Sequence, residues 1–552
     1  MASNFAYLLD KKGYSEFAQA AVEAEKALAI SPASVAIHAR KALELGVKFI
    51  YSVEPSLTIP YKDNLSALIH NYCFKDMIGL DLFHLIKFIV RLGNVAVHSG
   101  SPVQAEDAIL SLRNLHSFCD WIDYSYSEDY QQVEFDVNIL PKPASESQNK
   151  QQLQKMADAL DKKSQSLEEL KKLNEDLMNQ LQELKQVNIQ QRVFQVDEIS
   201  EAETRNRYID LALMEAGWRI AGAQVKLPNC YTEVPVAGMP NNSGNGYVDY
   251  VLYGQDQMPL AVVEAKKTSV DAMAGSYQAK LYADCLGKQY GRRPLIFTTN
   301  GFEIFYTNDF RQEARRQISG FLTQDELQLE MERRRTRKPL YHIEIDENIT
   351  NRPYQKQAVI TACEDIENHH RKLLIVQATG TGKTRVSISL VDVLLKHNYV
   401  KNILFLADRT ALVRQAMRNY VDLLPNLTFC NLTENKEDPQ QCRMIFSTYP
   451  TIMNAIDSNR LKDGRRLFTP GHFDLIILDE AHRSVYNKYQ DIFQYFDGML
   501  LGLTATPKSE IDKDTYGVFD LEKGNPTFAY ELEQAVEEGY LVNYTTLEYK
   551  DA

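Results

Sequence analysis

Five short apolar runs, LLIV (373–376), ILFLA (403–407), MIFS (444–447), LIIL (475–478) and MLLGL (499–503), recur through the second half of the chain with helical spacing between them. A strand that is apolar at successive positions has both faces covered, and in an alternating series the intervening helices are what cover them. The runs therefore predict a parallel α/β sheet buried on both sides. In such sheets ligands collect at the carboxyl ends of the strands, and that is where the chemistry-bearing residues of this half of the chain stand.

The first run leads into Gln377-Ala378-Thr379-Gly380-Thr381-Gly382-Lys383-Thr384 and then a helical segment. Glycines let backbone N–H groups turn toward phosphate oxygens, a lysine reaches the outer phosphates, and the next hydroxyl ligates Mg2+. Gln377 stands where the G-x-x-x-x-G-K-[ST] pattern has its first glycine; the strand before and the helix after support the reading. Asp479-Glu480-Ala481-His482 closes the fourth run, where one carboxylate suits Mg2+ and its neighbour suits orienting a water for phosphoryl transfer. Thr504-Ala505-Thr506 closes the fifth.

With these three elements on strand ends in this order, residues 350–552 resemble the first RecA-like domain of a superfamily 2 helicase. Arg352-Pro353-Tyr354-Gln355 resembles the adenine-reading Q motif, and Ala407-Asp408-Arg409-Thr410 with Gln415 resembles motif Ia. The resemblance implies ATP and Mg2+ as cofactors. It also implies a phosphate loop of Thr379, Gly380, Thr381, Gly382 and Lys383, with Mg2+ at Thr384 and Asp479. Glu480 takes the part of catalytic base, Gln355 that of adenine reader, and His482 links the nucleotide to Thr504-Ala505-Thr506. No second RecA-like lobe follows within the 552 residues, so ATP is expected to bind and to turn over poorly.

Residues 195–310 read as a second α/β unit. Asp249 lies on one apolar strand (YVDYVLYG) and Glu264 and Lys266 on the next (LAVVEAKK), the latter two on one face because strand side chains alternate. Charges facing inward from such strands need a reason. Two are open: a salt bridge at a sheet end, or two carboxylates and a lysine that hold Mg2+ and assist a water in phosphodiester hydrolysis. Gln278 and Tyr282, four apart, share a helical face. The series Asp249, Glu264-x-Lys266, Gln278-x-x-x-Tyr282 resembles the D…E-x-K core of RecB-like nucleases with their Q-x-x-x-Y element, and Glu203 in the helix ahead is a candidate extra acid.

A nuclease of this kind directly ahead of a DEAH motor resembles the restriction (R, HsdR) subunit of type I restriction-modification enzymes, over residues 195–552. That resemblance implies an endonuclease that translocates unmodified duplex DNA with ATP and cuts it with Mg2+, partnered by methyltransferase and specificity subunits. The alternative is an ATP-dependent DNA translocase or remodeller whose 195–310 domain only binds DNA.

The remaining segments frame these two. Residues 1–140 repeat apolar positions every three or four, as in FAQAAVEAEKALAI, and predict an all-α bundle. It resembles an accessory domain of HEPN type, and Arg91 and His98 resemble the arginine and histidine of RNase members; local packing or partner binding is the other reading. Residues 141–194 open with a polar linker and continue as a heptad. Leu153, Met156, Leu160, Leu167, Leu170, Leu177, Leu181 and Leu184 occupy its seam, interrupted by Lys163, Asn174 and Asn188. This is either a coiled coil or one long helix packed on its own domain. Residues 311–349 read as a basic helical linker, its arginines suiting either phosphates or a solvated face. With 61 Lys+Arg against 74 Asp+Glu the net charge is −13, so the chain does not coat nucleic acid by bulk charge and any DNA contact is local. Seven scattered cysteines, no signal peptide and no membrane-length apolar run predict a reduced, cytoplasmic protein without membrane contact.

Overall fold

The computed structural model describes residues 3–59, 64–98, 103–143, 150–161, 181, 184–188, 194, 201–222, 225–266, 275–434, 436–458, 466–480, 489–505 and 515–542. The chain divides into two units, Met1–Tyr306 with Asp457–Leu467, and Thr307–Ile456 with Phe468–Ala552.

The first unit opens with the helices α1 (Ser15–Lys26), α2 (Pro32–Val53), α3 (Leu65–Ile69), α4 (Tyr72–Ile78), α5 (Leu80–His98), α6 (Ala105–Tyr126) and α7 (Lys150–Asp161). Ser31 accepts from the Ser34 N–H at 3.0 Å and Pro32 follows it, so α2 starts with a capped, preset turn. α2 is buried along most of its length and packs on α1, α5 and α6. A helix apolar on most sides takes the centre of a bundle. Of the heptad seam, Leu153 and Leu181 are buried in this same core, with Met156, Leu160 and Leu184 packed beside them. The described seam residues thus lie as a helix packed on its own domain does. Lys163, Leu167, Leu170, Asn174 and Leu177 fall outside the described residues. Asn188 is buried, and its amide donates to the carbonyls of Ser125 and Ser127 at 3.2 and 3.0 Å, satisfying acceptors left over at the end of α6.

The same unit continues through α8 (Glu201–Glu215), β1 (Cys230–Ala237), β2 (Asn245–Tyr253), β3 (Pro259–Ala265), α9 (Ser276–Tyr290), β4 (Leu295–Thr299) and β5 (Ile304–Thr307). The strands lie in the order β1-β2-β3-β4-β5. β1, β2 and β3 are antiparallel neighbours, whereas β4 runs parallel to β3 after the α9 crossover. β3 is buried at every residue, as its composition predicts. β1 carries Pro235 and is mostly exposed, the mark of an edge strand with no apolar alternation to announce it.

The second unit contains β6 (Arg316–Ile318), α10 (Gln324–Thr336), α11 (Pro353–Glu367), β7 (Lys372–Gln377), α12 (Lys383–Lys396), β8 (Ile403–Ala407), α13 (Thr410–Leu423), β9 (Phe429–Asn431), β10 (Met444–Thr448), α14 (Tyr449–Ser458), β11 (Leu475–Asp479), α15 (Gln490–Tyr495), β12 (Met499–Thr504), α16 (Thr515–Val518), β13 (Phe528–Tyr530) and α17 (Leu532–Glu537). Its sheet, ordered β13-β7-β12-β11-β8-β10-β9, is parallel throughout. The five apolar runs are β7, β8, β10, β11 and β12; three-residue strands extend both edges.

The arginines of 311–349 find partners inside this unit. Arg316 pairs with both carboxylate oxygens of Asp497 at 2.6 and 2.8 Å. Arg333, 4% exposed, holds Asp474 at 2.6 Å and Glu330 at 2.9 Å. Arg334 lies over Phe310 and Arg337 over Tyr399. Asp474 immediately precedes β11 and Asp497 stands two residues before β12, so these arginines lie at the N-terminal ends of those strands. A solvated or phosphate-facing role is corrected for Arg316 and Arg333: Arg316 is held by a bidentate pair with Asp497, and Arg333 is buried with its Nη1 shared between Asp474 and Glu330.

Candidate active sites

In the first unit the register pairs Val251 with Val262 and Tyr250 with Val263, and one step further brings Asp249 opposite Glu264. There Asp249 Oδ2 accepts from the Ala265 N–H at 2.6 Å, which fixes the carboxylate against β3. The Glu264 side chain is 4% exposed and its Oε1 meets Lys266 Nζ at 2.8 Å. Lys266 also donates to Gln278 Oε1 at 3.2 Å, and Gln278 Nε2 donates to the Tyr282 hydroxyl at 2.7 Å. Glu264, Lys266, Gln278 and Tyr282 therefore form one hydrogen-bonded line, with Asp249 at its head. The salt bridge foreseen as an alternative exists, as Glu264–Lys266, but it is one link of that line.

Two glycines unremarked in the sequence let the backbone close on these groups. A Cβ at Gly275, just ahead of α9, would meet Lys266 Cε at 2.7 Å and Glu264 Cγ at 2.8 Å; one at Gly246 would meet the Tyr282 ring at 2.7 Å. A glycine inside a strand was the available signal for close approach. Behind β2, Tyr250 donates to Asp210 of α8 at 2.9 Å, and burial pushes the Asp210 carboxyl up to about 6. The donor set at Asp249 and Glu264 is hard carboxylate oxygen, which suits Mg2+. Among the described residues no three acidic, histidine or cysteine side chains gather for a metal. A cation here would complete its shell from water and substrate, as Mg2+ commonly does.

In the second unit β7 ends at Gln377, the loop turns through Gly380 (φ +89°) and Gly382 (φ +91°), and Lys383 and Thr384 open α12. Both glycines hold left-handed backbone that other residues resist. Lys383 Nζ points back to the Gln377 carbonyl at 3.4 Å and lies 4.0 Å from Glu480 Oε1. Burial, then the neighbouring Glu480, pushes the Asp479 carboxyl up to about 6 against the opposing pull of Lys383. Glu480 has φ +54°, a strained turn directly after β11. The structure therefore brings Lys383, Asp479 and Glu480 together at the strand ends, where the sequence put them.

Gln355 behaves otherwise than a residue waiting for a base. It is 2% exposed, its Nε2 donates to the Thr381 carbonyl at 2.8 Å, and its Oε1 accepts from Thr350. Both ends of the amide are engaged, and the loop is what they hold. Tyr354 adds a second tether, its hydroxyl donating to the same carbonyl at 2.9 Å while its ring stacks on Tyr530 at 3.9 Å. The sequence singled out the glutamine and passed over this tyrosine. His482 and Thr506 lie outside the described residues, as do the side chains of Glu203 and His98. Arg91 pairs with Glu215 at 3.3 Å.

Comparison with known proteins follows this division. A family described as the res subunit of type III restriction enzymes matches residues 348–509, and a domain of unknown function (DUF4145) matches residues 22–157. The EcoAI type I restriction endonuclease subunit of Escherichia coli is 30% identical over 313 residues, covering 54% of this chain and 37% of that protein. The EcoKI endonuclease subunit of Escherichia coli K12 is 26% identical over 428 residues, covering 62% and 35%. The chain is HsdR-like. This HsdR-like chain spans just over a third of the length of those curated relatives. A solved HsdR fragment from Vibrio vulnificus matches at 25% identity and a TM-score of 0.28, covering 62% of this chain and 61% of its own. Among the described residues no helix is long and apolar enough to cross a membrane.

Proposed function

We propose that this chain is the nuclease and motor subunit of a type I restriction enzyme, which moves unmodified duplex DNA with ATP and cuts it with Mg2+ in company with methyltransferase and specificity subunits. The observation that carries the reading is the line Asp249, Glu264, Lys266, Gln278, Tyr282, present in the same chain as a phosphate loop and a strand-end acidic pair. For the nuclease step Asp249 and Glu264 would hold Mg2+, which would supply Lewis-acid polarisation of the scissile phosphate and a lowered pKa for an attacking water. Lys266 orients that water and offsets charge on the phosphoryl oxygens; Gln278 aims Lys266, and Tyr282 aims Gln278. In the motor step Gly380, Thr381, Gly382 and Lys383 cradle the phosphates, with Thr379 at the loop tip. Thr384 and Asp479 would hold Mg2+, Glu480 takes the proton of the attacking water, and His482 relays to Thr504-Ala505-Thr506. Gln355 and Tyr354 keep the loop in shape for the nucleotide.

The test is DNA cleavage and ATP hydrolysis measured together on unmethylated circular DNA with the complete enzyme carrying Lys266→Ala. Lost cleavage with retained ATP hydrolysis is expected. Undiminished cleavage refutes the nuclease assignment and leaves a translocase whose first unit binds DNA without cutting it.

A further inference from the structure

The side chains of β2 change face at Asp249. Before it, Val248 belongs to the core that α9 covers, with Ala279, Tyr282 and Ala283, and a Cβ at Gly246 would meet the Tyr282 ring at 2.7 Å. After it, Val251 lies in that same core, while Tyr250 turns to the other face and donates to Asp210 of α8 at 2.9 Å. Side chains of one regular strand alternate, so positions 246, 248 and 250 should share a face. They do not, and the inversion falls between Val248 and Tyr250.

β1 inverts at the matching place. Val234 and Val236 pack on the α9 side, and on the far side of Glu233 it is Tyr231 that meets Tyr253, a residue packed on the same core. Glu233 stands between them with φ +51°, a left-handed backbone that residues other than glycine resist. The ladder pairs Thr232 with Tyr250 and Val234 with Val248, and skips the position between them, where Glu233 stands opposite Asp249.

The inversion decides where the Asp249 carboxylate goes. Val262 of β3 packs on the α9 side, so Glu264 and Lys266, in step with it, face that side too. An unbroken β2 with Val248 on this face would send Asp249 to the α8 face, away from Glu264. The break turns Asp249 in step with Val251 instead, and its Oδ2 takes the Ala265 N–H at 2.6 Å. Irregularities of this kind re-aim side chains beside active sites, and left-handed strain persists where the surrounding structure over-determines it. We propose that Glu233 is a positioning residue for the nuclease carboxylates: its left-handed backbone inverts β1 and β2 together and delivers Asp249 to the side of Glu264. The working part is the backbone, since the Glu233 side chain is exposed. The inference rests on the reading that Asp249 and Glu264 hold Mg2+.

The experiment compares Glu233→Gly, Glu233→Asn, Glu233→Ala and Glu233→Val, a series of falling tolerance for left-handed backbone. Each is set beside wild type and Asp249→Ala in two measurements. One is Mn2+ binding to the full chain without nucleotide, followed by the paramagnetic resonance of free Mn2+; the binding that Asp249→Ala loses defines the site. The other is DNA cleavage with ATP hydrolysis by the complete enzyme on unmethylated circular DNA. Glu233→Gly should match wild type in both. Glu233→Val should lose about 10- to 100-fold in site affinity and in cleavage, the usual penalty for a group that orients a metal ligand, with ATP hydrolysis unchanged. The Asn and Ala variants should fall between in that order, and the difference between Gly and Ala decides the matter if Glu233→Val unfolds. Equal Mn2+ affinity and cleavage across the series, whatever the melting temperatures, overturn the positioning role and leave the nuclease reading standing. A loss in Glu233→Gly as deep as in Glu233→Val makes the carboxylate the working part and overturns the backbone role. Wild-type cleavage by Asp249→Ala removes the nuclease reading itself.

Discussion

Gly275→Ala isolates the proposed nuclease site from everything else in the chain. Gly275 has φ −83°, which any residue adopts, so the substitution strains no backbone and acts through space alone. Its Cβ would stand 2.7 Å from Lys266 Cε and 2.8 Å from Glu264 Cγ, and ordinary contact begins at 3.4 Å, so these groups must yield by about 0.6–0.7 Å. Lys266 yields near the end of a flexible stem. Glu264 does not, because its side chain is 4% exposed and rises from a strand buried at every residue. The packing cost is about 1–3 kcal/mol, a loss the unit absorbs with a lowered melting temperature. The catalytic cost is larger, since misplacing reacting groups by up to an ångström costs on the order of 10²-fold in rate, or about 2.7 kcal/mol of barrier. The expected result in the complete enzyme is DNA cleavage reduced about a hundredfold with ATP hydrolysis unchanged, measured on the same unmethylated circular substrate. A folded variant that cleaves at close to the wild-type rate would refute the reasoning, because the reacting groups could then not be Glu264 and Lys266.

Three further expectations follow from the same geometry. Asp210, raised from 3.8 to about 6 by burial, is unfavourable to the fold when ionised, a penalty fully present above about pH 6 and absent below its ordinary pKa. Asp210→Asn, which still accepts from Tyr250, should therefore stabilise the first unit by at most about 3 kcal/mol near pH 7.5 and about half that near pH 5; an equal gain in melting temperature at both would contradict it. Arg316→Ala strips Asp497 of its bidentate partner and should cost the second unit about 3 kcal/mol, the low end for a buried pair because Arg371 also reaches Asp497. Calorimetry and duplex binding together decide this case, since a phosphate-facing arginine would lose DNA affinity and keep its stability. Gly382→Ala, with φ +91° and a Cβ 2.5 Å from Gln355 Nε2, should weaken nucleotide binding at least about tenfold by detaching the loop from its tether. Near-normal affinity for a fluorescent ATP analogue would show that the tether does not shape the site.

How far the sequence speaks depends on where each residue's partner lies. β7, β8, β10, β11 and β12 are legible because a strand buried on both faces needs apolar side chains throughout, and that requirement is local. β1, β9 and β13 lie at or beside sheet edges, are short or mostly exposed, and leave no such trace. The line from Glu264 to Tyr282 is legible because all its members lie within nineteen residues and follow strand and helix periods. Arg316 and Arg333 are legible only as basic, for their carboxylates stand 181 and 141 positions away. The heptad likewise shows its apolar seam but not the surface that covers it.

Those distant pairs give the second sheet an opposition of ends. Arg316, Arg333 and Arg371 with Asp474 and Asp497 occupy the N-terminal ends of β7, β11 and β12, where every cation has a carboxylate within 3.4 Å. At the C-terminal ends Lys383 stands 4.0 Å from Glu480, and Asp479 is held up to about 6 by burial. The first arrangement spends its charges on the fold; the second gathers a cation and two carboxylates at the strand ends with burial raising Asp479, the kind of perturbation that concentrates at functional sites. Substitutions at the two ends should therefore separate, moving stability at one and nucleotide binding at the other, because the strands that join them are buried and apolar between their ends.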